Sequence, residues 1–138
     1  MKTLLSVLLI LAGIVAIGAM QSNAGSSVSG NVSHGKYIVE SVAMCGQCHT
    51  PRDVDGNLLR SQWLGGAPVT VRNPYPTNQW AEFAPRIAGL PQYSDEQALT
   101  LLTTGISRAG NHLRGPMPPF RMSEEDARDV IAYLRSLE

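Results

Sequence analysis

The chain has 138 residues, with 11 Lys and Arg against 11 Asp and Glu, so its formal net charge is zero. This length is enough for one ordinary domain. A neutral chain offers no electrostatic reason to bind nucleic acid or an anionic membrane surface, and the composition therefore argues against both as partners.

The first 24 residues have the pattern of an export signal. Lys2 precedes an uncharged apolar run over residues 4–20, which ends in Gln21-Ser22-Asn23-Ala24. A positive start, an apolar middle and small residues at a cleavage site are typical of a secretory signal peptide, and we place the cleavage after Ala24. The alternative is an uncleaved anchor in the inner membrane, although the run is slightly short for a bilayer span. Either reading predicts a domain in the periplasm.

The segment after the signal divides into a lead-in and a folded domain. Residues 25–33 are rich in Gly and Ser and predict a flexible lead-in, whereas residues 34–138 form the predicted domain. A first helix is predicted over residues 33–44, and it leads directly into the two cysteines of the chain.

The two cysteines lie in Cys45-Gly46-Gln47-Cys48-His49, a C-x-x-C-H pattern that indicates covalent haem attachment. In such a site the two thiols add to the vinyl groups on one haem edge. Two intervening residues let the chain arch across that edge, so that the next residue, a histidine, reaches the iron. The pattern predicts one haem c with His49 as an axial ligand. An export signal strengthens this interpretation, because c-type attachment takes place outside the cytoplasm.

Two other chemistries use the same residues. Cys45 and Cys48 could form a disulfide or a thiol redox pair, but the chain lacks the βαβ pattern around such a motif. A zinc site could combine Cys45, Cys48 and His49 with His34 or His112. The two further histidines do not have the paired spacing expected of zinc ligands.

A long segment without hydrophobic periodicity separates the cysteines from the second helix. It extends from Pro51 to Tyr93 and is rich in Gly and Pro. A loop of this length in a small domain needs something to hold it, and wrapping a bound cofactor would be such a reason. The second helix is predicted to begin at Ser94, in a capping box with Gln97, and to end at Gly105.

The second iron ligand is predicted in Gly115-Pro116-Met117-Pro118-Pro119-Phe120. Prolines make this loop stiff, and a stiff loop helps to hold a thioether, which is a weak ligand of ferric iron. Met44 and Met122 lie at helix ends, where packing explains them. His112 is the main rival, but it lies in a polar Gly and Asn stretch that is typical of a solvated imidazole. Met117 is therefore the predicted distal ligand.

The third helix is predicted to begin at Ser123, with acidic residues in its first turn. Its apolar residues recur at helical spacing, at Ala127, Val130, Ile131, Leu134 and Leu137. One such stripe predicts a helix that packs a single face against the core. The sequence thus predicts an all-α domain of about three main helices, with long loops wrapped around one haem.

Together these motifs resemble class I cytochrome c, most closely the bacterial cytochrome modules of dehydrogenase complexes. The resemblance covers residues 35–137 and rests on Gly35-Lys36-Tyr37, on residues 45–53, on residues 93–96, on residues 117–120 and on the ending at 129–137. It implies the class I cytochrome c fold, in which the first and last helices cross near the haem edge. Gly35 would permit a close approach there, with Tyr37 and Tyr133 packed at the crossing. The resemblance also implies that Met117 is the distal ligand.

One segment departs from the related modules. Pro85-Arg86-Ile87-Ala88 stands where many of them have Pro-Asn-Ile-Thr, whose polar side chains would contact a haem propionate. Arg86 could pair with a propionate through a charge-assisted hydrogen bond, and Trp80 could donate its indole N–H. A surface arginine and a core tryptophan explain the same residues equally well.

These features predict a periplasmic one-electron carrier rather than an enzyme. The expected donor is a dehydrogenase, and the expected acceptor is an oxidase or another cytochrome of a respiratory chain. The alternative is a haem sensor or peroxidase-like protein whose distal site is open or labile.

Overall fold

The fold is known from a computed structural model that describes residues 29–75 and 79–137. Its α-helices are α1 (Val32–Tyr37), α2 (Gly46–His49), α3 (Asp95–Thr104) and α4 (Glu124–Arg135). A π-helical segment (Ile38–Val42), a 3-10 turn (Arg60–Gln62) and the short strands β1 (Ala67–Pro68) and β2 (Phe83–Ala84) complete it. The predicted helical class I architecture is confirmed. None of the helices in these residues is long and apolar enough to cross a bilayer, and the predicted signal peptide lies outside them.

The ends of α3 and α4 follow the local signals in the sequence. At the start of α3 the Ser94 hydroxyl accepts the Gln97 N–H at 3.2 Å, and the Gln97 side chain accepts the Ser94 N–H at 3.1 Å. Gly105 ends α3 in the left-handed conformation, at φ 72°. The Ser123 hydroxyl caps α4 by accepting the Asp126 N–H at 3.1 Å. Both predicted helices are therefore confirmed at their first residues.

The hydrophobic core lies between α4 and the rest of the chain. The predicted stripe on α4 is buried, since Ala127, Val130, Ile131 and Leu134 are each less than 5% exposed. These side chains pack against others from α3, from the π-helical segment and from the long central segment, and the core also contains Ile38, Val39, Leu64, Ala88, Leu90, Ala98 and Leu102. Helix α4 thus packs against α1, α3 and the π-helical segment.

Helices α1 and α4 cross in close contact at Gly35. A Cβ atom on Gly35 would collide with the Asp129 carbonyl and crowd Tyr133, so only glycine fits at this point. Tyr133 is buried at the crossing, as predicted, but the prediction for Tyr37 is wrong, because that side chain is 57% exposed. Two residues along an α-helix rotate a side chain by about 200°, which puts Tyr37 on the face opposite Gly35.

Helix α1 begins at Val32, within residues 25–33, which the sequence predicts as a flexible lead-in. Val32 and Ser33 are helical, and the Asn31 side chain caps α1 by accepting the Ser33 and His34 N–H groups at 3.1 Å. The Asn31 backbone N–H donates to the Asp129 carboxylate on α4. The folded domain therefore includes residues within the stretch predicted as flexible.

The predicted first helix ends before residue 44 and changes type on the way. From Ile38 to Val42 it is π-helical, with the Ala43 N–H donating to the Ile38 carbonyl at 2.7 Å. Met44 then adopts a left-handed backbone at φ 47°, and the Cys45 N–H returns to the Val39 carbonyl at 3.0 Å. This left-handed residue stops the helix and turns the chain into α2.

The long central segment contains little regular structure, as expected. Strands β1 and β2 pair antiparallel, with Ala67 opposite Ala84 and Pro68 opposite Phe83, and they form the stem of a hairpin. Beyond the stem, the Val69 N–H donates to the Glu82 carbonyl at 2.9 Å. This hairpin stem forms one wall of the cavity described below.

Candidate functional site

A largely apolar cavity of ≈ 320 Å³, partly open to solvent, is lined by residues of α3 and α4, of the central segment and of the loop around Met117. Cys45, Cys48, His49 and Met117 all line it, although 68 residues separate the last two along the chain. Its walls are otherwise made mainly of aliphatic and aromatic side chains, among them Ala43, Val69, Phe83, Ile87, Leu90, Leu101, Leu102, Leu113, Phe120, Val130 and Leu134. The structure thus brings the predicted attachment residues and the predicted distal ligand to one apolar space.

The two cysteines are placed by α2, a single helical turn. Gly46 is buried at its start because the ring of Trp63 lies directly over it, where a Cβ atom would collide with the ring. The Trp63 indole N–H donates to the Tyr133 hydroxyl at 3.3 Å, and that hydroxyl donates to Glu40 at 2.7 Å. A glycine between the two cysteines therefore lets α2 pack tightly on the protein.

The two thiols are free and lie at the wall of the cavity. Burial raises the pKa of the Cys45 thiol to about 11, so this thiol is protonated at neutral pH. Reactive redox pairs have the opposite property, a lowered thiol pKa. This environment argues against the alternative of a thiol redox pair.

His49 is buried, at 6% exposure, and its orientation is fixed by one hydrogen bond. Its Nδ1 lies 2.7 Å from the Pro85 carbonyl oxygen, which can only accept, so Nδ1 carries the proton and Nε2 keeps a lone pair. Burial lowers the pKa of His49 and outweighs the opposing effect of the Pro85 bond. A neutral imidazole with one nitrogen held by a carbonyl is the form in which histidine binds a metal.

Met117 is half-buried in a loop that is attached to the protein at both ends. The Gly115 carbonyl accepts the Ala81 N–H at 2.8 Å, and the Met122 N–H donates to the Leu102 carbonyl of α3 at 3.1 Å. Further support comes from Arg121, whose guanidinium donates to the Phe120 carbonyl at 2.8 Å. The loop that places Met117 at the cavity is therefore held by hydrogen bonds at both of its ends.

The other methionines and histidines considered as ligands are either exposed or have contacts elsewhere in the protein. Met44 lines the same cavity but is 54% exposed, and Met122 packs against the edge of the core. His34 lies on α1 with its Nδ1 2.8 Å from an Asp129 carboxylate oxygen, whereas His112 is exposed and pairs with Ile106 in an isolated bridge. Within the described ranges, no cluster of three or more His, Cys, Asp or Glu residues could hold a metal ion.

The two residues predicted to meet a haem propionate both have partners in the protein. The Arg86 Nε donates to the Ala88 carbonyl at 3.0 Å, and the Trp80 indole N–H donates to the Val71 carbonyl at 2.9 Å. Neither is among the residues that line the cavity.

Arg114 is a residue that the sequence analysis missed. Of the described residues around the cavity, it alone carries a permanently charged side chain. Arginine is the side chain best suited to pair with carboxylates. Its position next to Gly115, in the predicted ligand loop, is the signal that could have identified it.

The donor set and the cavity fit a haem c. Two thiols, a neutral imidazole and a thioether surround an apolar space, and class I cytochromes hold haem iron with His and Met. An apolar cavity suits the largely apolar porphyrin ring, and an arginine at its wall suits the carboxylates of that ring.

Comparison with known proteins gives the family of the chain. The sequence model of the family described as "Cytochrome C oxidase, cbb3-type, subunit III" matches residues 30–134. The fructose dehydrogenase cytochrome subunit of Gluconobacter japonicus is 32% identical over 112 residues, which cover 76% of this chain and 22% of that protein. A "Diheme cytochrome c-type" protein of Cereibacter sphaeroides is 31% identical over 106 residues, which cover 73% of this chain and 33% of that protein.

A third relative is the cytochrome c subunit of a quinone-type alcohol dehydrogenase from Gluconobacter oxydans, 27% identical over 116 residues. These residues cover 77% of this chain and 24% of that subunit, so the chain spans between about a fifth and a third of these relatives. The family match, by contrast, spans most of the chain. The chain therefore belongs to the cytochrome c oxidase, cbb3-type, subunit III family, as a class I c-type cytochrome domain with a role in electron transfer.

Proposed function

We propose that this chain is a periplasmic one-electron carrier with a single covalent haem c, ligated by His49 and Met117. One observation carries the proposal: Cys45, Cys48, His49 and Met117 all line one apolar cavity. When bound, the haem supplies an iron that exchanges one electron between its ferric and ferrous states.

The residues of the chain have distinct parts in this proposal. Cys45 and Cys48 would form the thioether bonds, and the Pro85 carbonyl holds His49 in the neutral form, so that Nε2 would be available to the iron. The Met117 thioether would be the second protein ligand of the iron. Met ligation raises the reduction potential relative to a second histidine, and the apolar walls of the cavity favour the less charged ferrous state.

The haem carboxylates need partners as well. Arg114 is the strongest candidate, because it is the charged side chain at the cavity wall. Arg86 and Trp80 stay predictions for this contact, and Trp80 would have to exchange its present bond to the Val71 carbonyl for one to a carboxylate.

We further propose that the donor is a dehydrogenase and that the electron passes on to a respiratory chain. Two of the relatives are cytochrome subunits of dehydrogenases that act on fructose or an alcohol. In this chain Met44, Cys48 and Phe83 line the cavity and are also exposed, so an apolar surface lies where the electron would leave. Small exposed interfaces of this kind suit brief redox encounters.

Absorption spectra of the wild-type protein and two methionine variants test the ligation. We expect a c-type spectrum with the weak far-red band of a sulfur–iron bond, and Met117→Ala should abolish that band while the haem stays attached. Met44→Ala is the matched control, because Met44 lines the same cavity, and it should retain the band. The mass of the mature protein reports the haem count and the cleavage site together.

Two outcomes would contradict the proposal. If the band survives in Met117→Ala, another residue is the distal ligand. If the ferrous wild-type protein binds carbon monoxide rapidly, the distal site is open, and the sensor or peroxidase-like alternative is favoured instead.

A further inference from the structure

The loop that carries Met117 has few groups of its own with which to anchor itself. Three of the residues that flank Met117, namely Pro116, Pro118 and Pro119, have no backbone N–H to donate. The loop must therefore be held through its carbonyl groups and through side chains that pack against it. The first of these attachments along the chain is Gly115, two residues before Met117.

Trp80 packs directly on this attachment. The six-membered part of its indole ring lies against Gly115, and a Cβ atom at Gly115 would collide with that ring. Trp80 and Gly115 also form an isolated parallel bridge, and the Ala81 N–H donates to the Gly115 carbonyl at 2.8 Å. Backbone and ring therefore hold the same residue of the ligand loop.

The ring of Trp80 is itself fixed by the hairpin. Its indole N–H donates to the Val71 carbonyl at 2.9 Å, across the hairpin from Trp80. Closer to the stem, the Val69 N–H donates to the Glu82 carbonyl at 2.9 Å. The ring thus links the hairpin stem, which forms one wall of the cavity, to the loop that presents Met117.

We infer that Trp80 is a positioning residue for the distal ligand, which sets the place of Met117 through Gly115. The inference rests on the proposed ligation of the iron by Met117. A thioether binds ferric iron weakly, so a loop that can move away exposes the iron to other ligands. Trp80 restricts that movement from a position outside the cavity wall, with its indole N–H bonded to the Val71 carbonyl.

The test compares Trp80→Leu with Trp63→Leu, the same change at the other tryptophan of the chain. Trp63 packs over Gly46 on α2, whereas the three atoms nearest to a Cβ at Gly115 all belong to Trp80. We expect Trp80→Leu to keep covalent haem but to lose most of the far-red sulfur–iron band. Its ferrous form should bind carbon monoxide on the order of tenfold faster than wild type, equivalent to about 1.4 kcal/mol in activation free energy. Trp63→Leu should lower the unfolding temperature but keep the band.

A second pair of variants tests the contact itself. Gly115→Ala inserts a methyl group where the Trp80 ring lies, and it should weaken the band in the same way. Combined with Trp80→Leu, which makes room for that methyl, the change should add nothing further. This non-additivity is the signature of two residues in direct contact.

The outcomes separate this inference from the proposed function. If wild type lacks the band, the ligation proposal fails. If wild type has the band and both Trp80→Leu and Gly115→Ala keep it at full intensity without faster carbon monoxide binding, Trp80 does not position Met117. Should Trp80→Leu fail to fold, Gly115→Ala and Trp80→Phe, which keeps a ring over Gly115, decide the question by the same two readouts.

Discussion

Asp129 is a buried carboxylate on α4 whose two oxygens have different partners on the segment that begins α1. One oxygen accepts the Asn31 backbone N–H, and the other lies 2.8 Å from Nδ1 of His34. These two bonds, first the one from Asn31 and then the one from His34, hold the pKa of Asp129 below its ordinary value. The folded state therefore binds fewer protons at this site than the unfolded state does in mildly acidic solution.

This difference predicts how the stability of the protein depends on pH. Because the folded pKa is the lower one, the stabilisation from Asp129 is complete above its unfolded pKa and is lost as the pH falls from about 5 towards the lowered value. Asp129→Asn should reduce the free energy of unfolding by about 1–3 kcal/mol at pH 7, as expected for a hydrogen bond to a charged group. Urea unfolding between pH 3 and 7 measures both effects.

Glu125→Gln is the control for this prediction, since it removes the same charge from an exposed position on the same helix. It should change the stability by a few tenths of a kcal/mol, in the range of surface and helix-dipole effects. If Asp129→Asn unfolds with the stability and pH profile of wild type, the carboxylate does not contribute to joining α1 and α4.

Helix α4 is the element on which the domain depends most, because it packs against α1 at Gly35 and also lines the cavity with Val130 and Leu134. Its last turn is attached too. The Arg135 guanidinium donates to the Gly89, Leu90 and Tyr93 carbonyls and pairs with Asp95 at the start of α3. One helix therefore joins both ends of the folded chain and the cavity wall.

Gly35→Ala should destabilise the protein, although the same change usually stabilises a helix. The gain in helix propensity is about 0.5–1 kcal/mol, whereas forcing a methyl group into a filled space costs about 1–3 kcal/mol or more. Here the methyl would meet the Asp129 backbone carbonyl, which cannot rotate away. Thermal unfolding of the haem-loaded protein measures the net effect. Lys36→Ala, at an exposed neighbouring position, should leave the unfolding temperature nearly unchanged. A Gly35→Ala variant that is more stable than wild type would contradict the close contact of α1 and α4 at Gly35.

The sequence was most informative where a structure depends on neighbours along the chain. The capping box at Ser94 and the cap at Ser123 are local bonds, so their patterns predicted both helix starts. Cys45 to His49 form a motif whose spacing is dictated by chemistry, and the structure places them with Met117 at one cavity. That these residues bind a haem iron stays a prediction.

Contacts between distant segments could not be predicted in this way. The bond from His49 to the Pro85 carbonyl joins residues 36 positions apart, and a backbone carbonyl has no signature in the sequence. The sequence offers two interpretations of Trp80, a bond from its indole N–H to a propionate or a place in the core, but nothing in it shows that the ring packs on Gly115. Arg114 was missed for the same reason.

At the scale of the whole molecule, the stability of the domain depends on the packing around its cavity. The apolar side chains that line this ≈ 320 Å³ space lose packing contacts when nothing fills it, and an ordinary domain has only about 5–15 kcal/mol of stability in total. A domain of this size with such a cavity therefore depends on what fills it.

The double variant Cys45→Ala with Cys48→Ala tests that dependence by removing covalent attachment. We expect it to melt far below the wild-type protein or to lose most of its helical circular dichroism at room temperature. Met44→Ala, prepared in the same way, should keep its haem and melt close to wild type. A haem-free double variant with the wild-type melting temperature would mean that the polypeptide is stable by itself.

The crossing at Gly35 also affects the order in which parts of the domain can form as the chain emerges. A chain that emerges N-terminus first presents residues 45–49 long before Asp129 is free to meet Gly35, 94 positions earlier. Until α4 docks, the side of the cavity that Val130 and Leu134 line is uncovered, in addition to the exposed edge at Cys48. The order of the chain thus leaves a time in which the two thiols are made but α4 has not yet packed, and the docking of α4 then covers its side of the cavity.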